Sequence, residues 1–200
     1  CCVHGHHEIL IMLVEASIGG HLTDPLEIDL ANHQGLTPLN CAAIKGDYEM
    51  VKCLVSRGDA KVDQSSPKGC TPLIYAGRGG FSQVVEFLIQ KKASPLKQDN
   101  AGGTVLHHAI EKAHIQVLET MVALGVDVYS AIEIADNAGR TPLFEAVEND
   151  LPEIVLQLSK SKTENGFCAN LNVVNYNGQS PLFIAAKQGS LEMVTLLMDA

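Results

Sequence analysis

Gly35-Leu36-Thr37-Pro38-Leu39-Asn40-Cys41-Ala42-Ala43-Ile44-Lys45-Gly46-Asp47-Tyr48-Glu49-Met50-Val51 is the stretch from which the fold of this 200-residue chain can be read. Gly35 permits positive φ in a tight turn. Thr37 is a good helix N-cap and Pro38 suits the first helical position, so a short helix starts abruptly after the turn. The small pair Ala42-Ala43 lets that helix approach a neighbour closely, and Met50 with Val51 opens a second, more apolar helix.

The stretch recurs. Gly69-Cys70-Thr71-Pro72-Leu73, Gly102-Gly103-Thr104-Val105-Leu106, Gly139-Arg140-Thr141-Pro142-Leu143 and Gly178-Gln179-Ser180-Pro181-Leu182 repeat its opening, with the glycines 34, 33, 37 and 39 residues apart. Small pairs follow five and six residues after the Thr or Ser (Ala76-Gly77, Ala185-Ala186), and Gly80 and Gly189 answer Gly46. A single such unit cannot bury its own apolar face, whereas units stacked side by side form a continuous core.

The pattern Gly-x-Thr-Pro-Leu-x-x-Ala-Ala-x-x-Gly-x-x-Glu-Val-Val, matched almost slot for slot from Gly35 to Val51, resembles the ankyrin repeat. That resemblance implies an all-α solenoid of helix-turn-helix units with β-turn or hairpin fingers, and a role in holding another protein. It spans essentially the whole chain: a partial repeat at 1–28, then repeats at about 29–62, 63–95, 96–132, 133–171 and 172–200. Departures are local. Val105 stands where the other copies have Pro, Asn32 and Ser66 stand where Asp99 and Asp136 keep the turn Asp, and Ala113 and Asp150 replace the mid-repeat Gly. Cys1 to Leu10 matches only the later half of a repeat and Met193 to Ala200 stops inside a second helix, so a fragment of a longer protein is expected. The segments Ser17–Leu26, Tyr129–Ala135 and Lys160–Ala169 lengthen the spacing and are expected to be loops.

Composition narrows the function. Lys and Arg number 14 against 23 Asp and Glu, a formal charge of -9 that repels nucleic acid and anionic membrane surfaces. The longest apolar run, Ile9 to Val14, is far short of the roughly 20 residues of a spanning helix. Cys1, Cys2, Cys41, Cys53, Cys70 and Cys168 show no paired spacing, which suits a reducing compartment, cytoplasm or nucleus; Cys41 and Cys53 fall in small apolar slots as buried thiols.

Motifs for chemistry are missing: no His-Glu-x-x-His, Gly-x-Ser-x-Gly or Walker-type loop occurs, so neither catalytic residues nor a cofactor is expected. Gly77-Arg78-Gly79-Gly80 resembles a phosphate loop but keeps phase with the repeat as an interhelical turn. His4, His6 and His7 lack Cys or acidic companions to complete a metal tetrahedron, so no metal site is expected. His107 falls where the repeat family places a His for local hydrogen bonding, a structural role.

The resemblance implies that partners are gripped by the turn tips and the exposed side of each first helix. Those slots contain Leu36, Ile44, Lys45, Lys68, Arg78, Lys112, Arg140, Tyr176 and Lys187, the candidate partner-binding residues. Six slots are basic and two acidic, Glu111 and Glu148. The expected partner is a protein segment that is acidic or phosphorylated, bound by a monomer with apolar help from Leu36, Ile44 and Tyr176; plain solubilising Lys and Arg is the alternative reading of the charge. The alternative role is intramolecular assembly or substrate recruitment within a larger channel, kinase or ubiquitin-ligase protein.

Overall fold

The turn-and-helix code is realised in a computed structural model that describes residue 12 and residues 27–125, 128–159 and 169–200. The N-terminal partial repeat, His4, His6, His7 and the segment Ser17–Leu26 lie outside the described residues, as does all of Lys160–Ala169 except Ala169. All described elements are helices: α1 Pro38–Lys45, α2 Tyr48–Ser56, α3 Pro72–Arg78, α4 Ser82–Gln90, α5 Val105–Glu111, α6 Ile115–Ala123, α7 Val128–Ile132, α8 Pro142–Glu148, α9 Pro152–Ser159, α10 Pro181–Gln188 and α11 Leu191–Asp199. They fall into two compact units, residues 1–95 and 96–200.

Each first helix starts as its sequence requires. Thr37, Thr71, Thr141 and Ser180 accept a hydrogen bond from the backbone N–H three residues on, at 3.1, 3.2, 3.4 and 3.2 Å, with Pro in the first turn. Before each helix a turn closes through paired backbone bonds, for example Asp136 N–H to the Arg140 carbonyl (2.8 Å) and Gly139 N–H to the Asp136 carbonyl (2.9 Å). Asn32, Asp99, Asp136 and Asn175 brace this turn identically: each Oδ1 accepts the N–H groups two and four residues ahead. Asn therefore does the work of Asp, because only the side-chain carbonyl oxygen is used. Ser66 uses its hydroxyl differently, accepting from Tyr75 Oη at 3.0 Å.

Packing follows the small residues. In the first unit α1 stacks on α3 and α2 on α4, with Ala42, Ala43, Leu54, Leu73, Ala76 and Leu88 buried between them. In the second, α8 packs against both α5 and α10, and α9 against α11, around Leu106, Leu118, Leu143, Phe144 and Val147. Each buried Val, Leu or Phe contributes about 1.5–3 kcal/mol, which no single helix pair could collect alone. Neighbouring repeats are also tied by carboxylates: Asp29 accepts from Lys61 N–H (3.1 Å), Asp63 from Ser94 N–H (3.2 Å) and Glu133 from Asn170 N–H (3.1 Å).

The expectation of a loop at Tyr129–Ala135 is corrected here. Val128–Ile132 forms the short helix α7, because Ala131 and Ile132 are apolar and become fully buried while Glu133 stays outside.

The two departures from mid-repeat Gly keep its conformation: Ala113 has φ 56° and Asp150 φ 53°. Asp tolerates the left-handed region, and its carboxylate receives the Ser190 hydroxyl at 2.8 Å. Ala has no such compensation. Ala113→Gly is expected to raise stability by about 0.5–1 kcal/mol, the relief of left-handed strain less the added freedom of the unfolded chain, as a higher urea midpoint with unchanged slope.

Candidate functional site

Helical spacing determines which side chains line the exposed side of each first helix. Residues seven and eight after the Thr or Ser share a face with the residue four after it, one turn earlier. That earlier slot holds Cys41, Tyr75, His108, Glu145 and Ile184, and it was not among the partner-facing slots expected from sequence.

In the first unit these positions form a cleft of about 410 Å³ whose walls include Leu36, Pro67, Lys68, Cys70, Tyr75 and Arg78. Leu36 and Tyr75 are half-buried, Cys70 is buried, and Lys68 and Arg78 are exposed. Burial pushes the Tyr75 phenol above its ordinary range, partly offset by its hydrogen bond to Ser66, so it stays a neutral donor. Ile44 and Lys45 stand exposed at the end of α1, Ile44 at 42 %. Burial likewise raises the half-buried Cys41 thiol, with Lys45 opposing, so it is a poor nucleophile. Gly77 and Arg78 close α3, and Gly79-Gly80 turns the chain toward α4.

In the second unit the same slots are internally paired. Arg140 donates through Nη2 and Nε to Asp136 (2.7 and 2.9 Å) and through Nη1 to Glu148 (2.8 Å), and lies 3.3 Å from Glu145. Burial alone would lower the Arg140 pKa; the hydrogen bonds to Asp136 and Glu148 outweigh it and raise it. Asp136 is buried, which would raise its pKa, but the Arg140 backbone N–H and guanidinium hold it below the usual carboxylate range. Glu145 is also buried, and burial keeps its pKa raised despite Arg140. Lys112 pairs with Glu111 at 2.8 Å. Lys187 and Tyr176 are exposed, Tyr176 at 78 %.

His107 is structural. Thr104 N–H donates to Nδ1 (3.2 Å), so that nitrogen is an acceptor, and Nε2 faces the Arg140 carbonyl at 3.0 Å, which only a protonated Nε2 can satisfy. The ring is therefore the neutral Nε2–H tautomer, and burial holds its pKa below the ordinary histidine value. The unfolded state then binds more protons, so this contribution is complete above about pH 6.5 and is lost as pH falls from there toward the folded value. Between pH 7.5 and 5.5 the urea midpoint is expected to fall more steeply for the native chain than for His107→Gln.

The nine expected residues are thus divided. Leu36, Lys68 and Arg78 share one cleft, with Ile44 and Lys45 elsewhere in the same unit. Lys112 and Arg140 sit in intramolecular ion pairs, while Tyr176 and Lys187 are exposed. Among the described residues no helix is long and apolar enough to cross a membrane.

Comparison with known proteins places these geometries in a family. A model described as "Ankyrin repeats (3 copies)" matches residues 54–132, 96–166 and 130–200, and one described as "Ankyrin repeats (many copies)" matches residues 1–55. The chain is 30% identical to the mouse "B-cell lymphoma 3 protein homolog" over 183 residues, 87% of this chain and 40% of that protein. It is 33% identical to "Alpha-latrotoxin-Lg1a" of Latrodectus geometricus over 170 residues, 84% of this chain and 12% of the toxin. It therefore spans well under half of these relatives. A crystal structure of the ankyrin repeat domain of Bcl-3, described as a unique member of the IkappaB protein family, superposes with a TM-score of 0.80 at 26% identity, covering 99% of this chain and 82% of that one.

Proposed function

This chain belongs to the ankyrin-repeat family, whose fold serves protein–protein contact, and from that premise we propose that it holds an extended acidic segment of a partner protein along its finger tips and first helices. The observation that carries the reading is the exposure of the apolar side chain of Ile44 in those slots, in the same unit as the cleft-lining cations Lys68 and Arg78; Tyr176 is a second exposed anchor in such a slot of the other unit. Exposed aliphatic and aromatic anchors ringed by charge are what a protein contact uses, and a rigid helical frame spares the ordering cost of binding. Lys45, Lys112 and Lys187 complete the proposed surface, with Arg140 held by its own carboxylates and Leu36 at the apolar floor of the first-unit cleft. The chain supplies no chemistry of its own in this reading, and it acts as a monomer in the cytoplasm or nucleus, a setting that suits the thiols of Cys41, Cys53 and Cys70.

The test is site-specific photo-crosslinking. A benzophenone side chain at position 44 or 176 should capture one and the same protein from cells, while the same group at Leu156, exposed on the second helix α9, should not. Equal capture from position 156 would defeat the reading. Cross-links confined to the protein itself would establish the intramolecular assembly role instead.

A further inference from the structure

Counting charges slot by slot divides the proposed surface. With the residue four after each Thr included, the first unit contributes the cations Lys45, Lys68 and Arg78 and no carboxylate. The second contributes Lys112, Arg140 and Lys187 against Glu111, Glu145 and Glu148, and four short contacts bind Lys112 and Arg140 to those glutamates and to Asp136. In a chain of net charge -9, these slots over residues 33–79 therefore carry three cations and no carboxylate of their own.

Building on the proposed function, we infer that the cleft walled by Leu36, Pro67, Lys68, Cys70, Tyr75 and Arg78 is the recognition site, and that it takes an aspartate or glutamate adjoining an apolar residue of an extended partner segment. The walls divide by chemistry. Leu36, Pro67, Cys70 and the Tyr75 ring offer an apolar floor, while Lys68 and Arg78 stand exposed, and no carboxylate lies among the described residues that line the cleft. The Tyr75 hydroxyl is already spent on Ser66, 3.0 Å away, so the ligand's charge meets chiefly the two side-chain cations. One guanidinium and one ammonium match the two oxygens of a single carboxylate, and the floor has room for the neighbouring aliphatic side chain. In the second unit Arg140 is a structural cation that positions Asp136 and Glu145 and is not available to a ligand.

A twelve-residue random peptide library selected against the 200-residue protein provides the probe, and binding of the selected peptides is then measured on variants. Peptides carrying Asp or Glu beside Leu, Ile or Phe are expected to dominate, to lose roughly tenfold or more in affinity on Lys68→Glu or Arg78→Glu, and to bind Lys52→Glu and Lys91→Glu normally, since those exposed cations lie outside the proposed surface. A circular-dichroism melt of each variant separates lost binding from lost fold. Peptides indifferent to Lys68→Glu and Arg78→Glu but lost on Ile44→Asp or Tyr176→Asp would overturn the cleft while leaving the wider surface standing. Indifference to all four would sink both. Selection of phosphopeptides over their Glu counterparts in a matched library, or no selection at all, would also overturn the carboxylate assignment, and the cross-linking at positions 44 and 176 decides the wider reading independently.

Discussion

Arg140→Met is expected to lower the unfolding free energy by about 2–3 kcal/mol, less than the 3–5 of a fully buried pair because the guanidinium is partly solvated. Methionine replaces the aliphatic stem, so the loss is electrostatic: Asp136 and Glu145, both buried, are left without their cation. Glu145 makes the case testable. Its carboxyl is already pushed up by burial against Arg140's opposition, and removing Arg140 raises it further. A raised folded pKa adds stability below the unfolded value and takes it away as pH rises through the folded one. The deficit of Arg140→Met should therefore be largest near neutrality and shrink toward pH 5. Adding Glu145→Gln should restore about 1 kcal/mol at pH 7, since glutamine keeps the shape and the contact with Asn149 without the charge. Urea melts of the single and double variants at both pH values read this out, and a pH-independent deficit would mean that packing of the Arg140 stem, rather than its charge, is what the site loses.

What the sequence reveals and what it hides divides along this same line. Start signals are local: Thr-Pro after Gly needs only its own few residues, so the first helices with a Thr-Pro or Ser-Pro start were legible. Second helices are less so. Phe81 and His114 begin α4 and α6 without a side-chain cap, and tertiary packing of Val84, Val85, Val117 and Leu118 sets those elements. α7 was hidden because five residues carry too little periodicity to distinguish a short helix from an inserted loop. At Arg140 the basic character expected of the partner surface meets carboxylates that the slot count did not include. Counting the slots seven and eight residues on, without the slot one turn earlier, left out Glu145, and the Asp136 carboxylate that braces the turn also reaches the guanidinium. Helical spacing alone could have supplied the first of these; the second needed the fold of the turn.

Phe144→Ala and Phe183→Ala make the same chemical change in the same repeat slot, three residues after Thr141 and Ser180, yet only the first is expected to be severe. Phe144 is 0 % exposed and Phe183 is 52 % exposed. The helix α8 packs against α5 on one side and α10 on the other, so truncating Phe144 leaves a cavity that two neighbours cannot both relax to fill, costing about 3–5 kcal/mol. Phe183 has lost little water contact to begin with, and its truncation should cost under about 1 kcal/mol in the 200-residue chain. The earlier copies show how demanding the slot is once a following repeat covers it. Asn40 and His107 occupy it as buried polar groups, and each reaches forward to a carbonyl of the next finger, Asn40 Nδ2 to Gln64 (3.1 Å) and His107 Nε2 to Arg140 (3.0 Å). Apolar members bury there and polar members bond there, so the slot reports coupling to the following repeat rather than stability within its own. If Phe183→Ala proved as costly as Phe144→Ala in matched urea melts, stability would reside inside each repeat, and the nearest-neighbour account of this chain would be wrong.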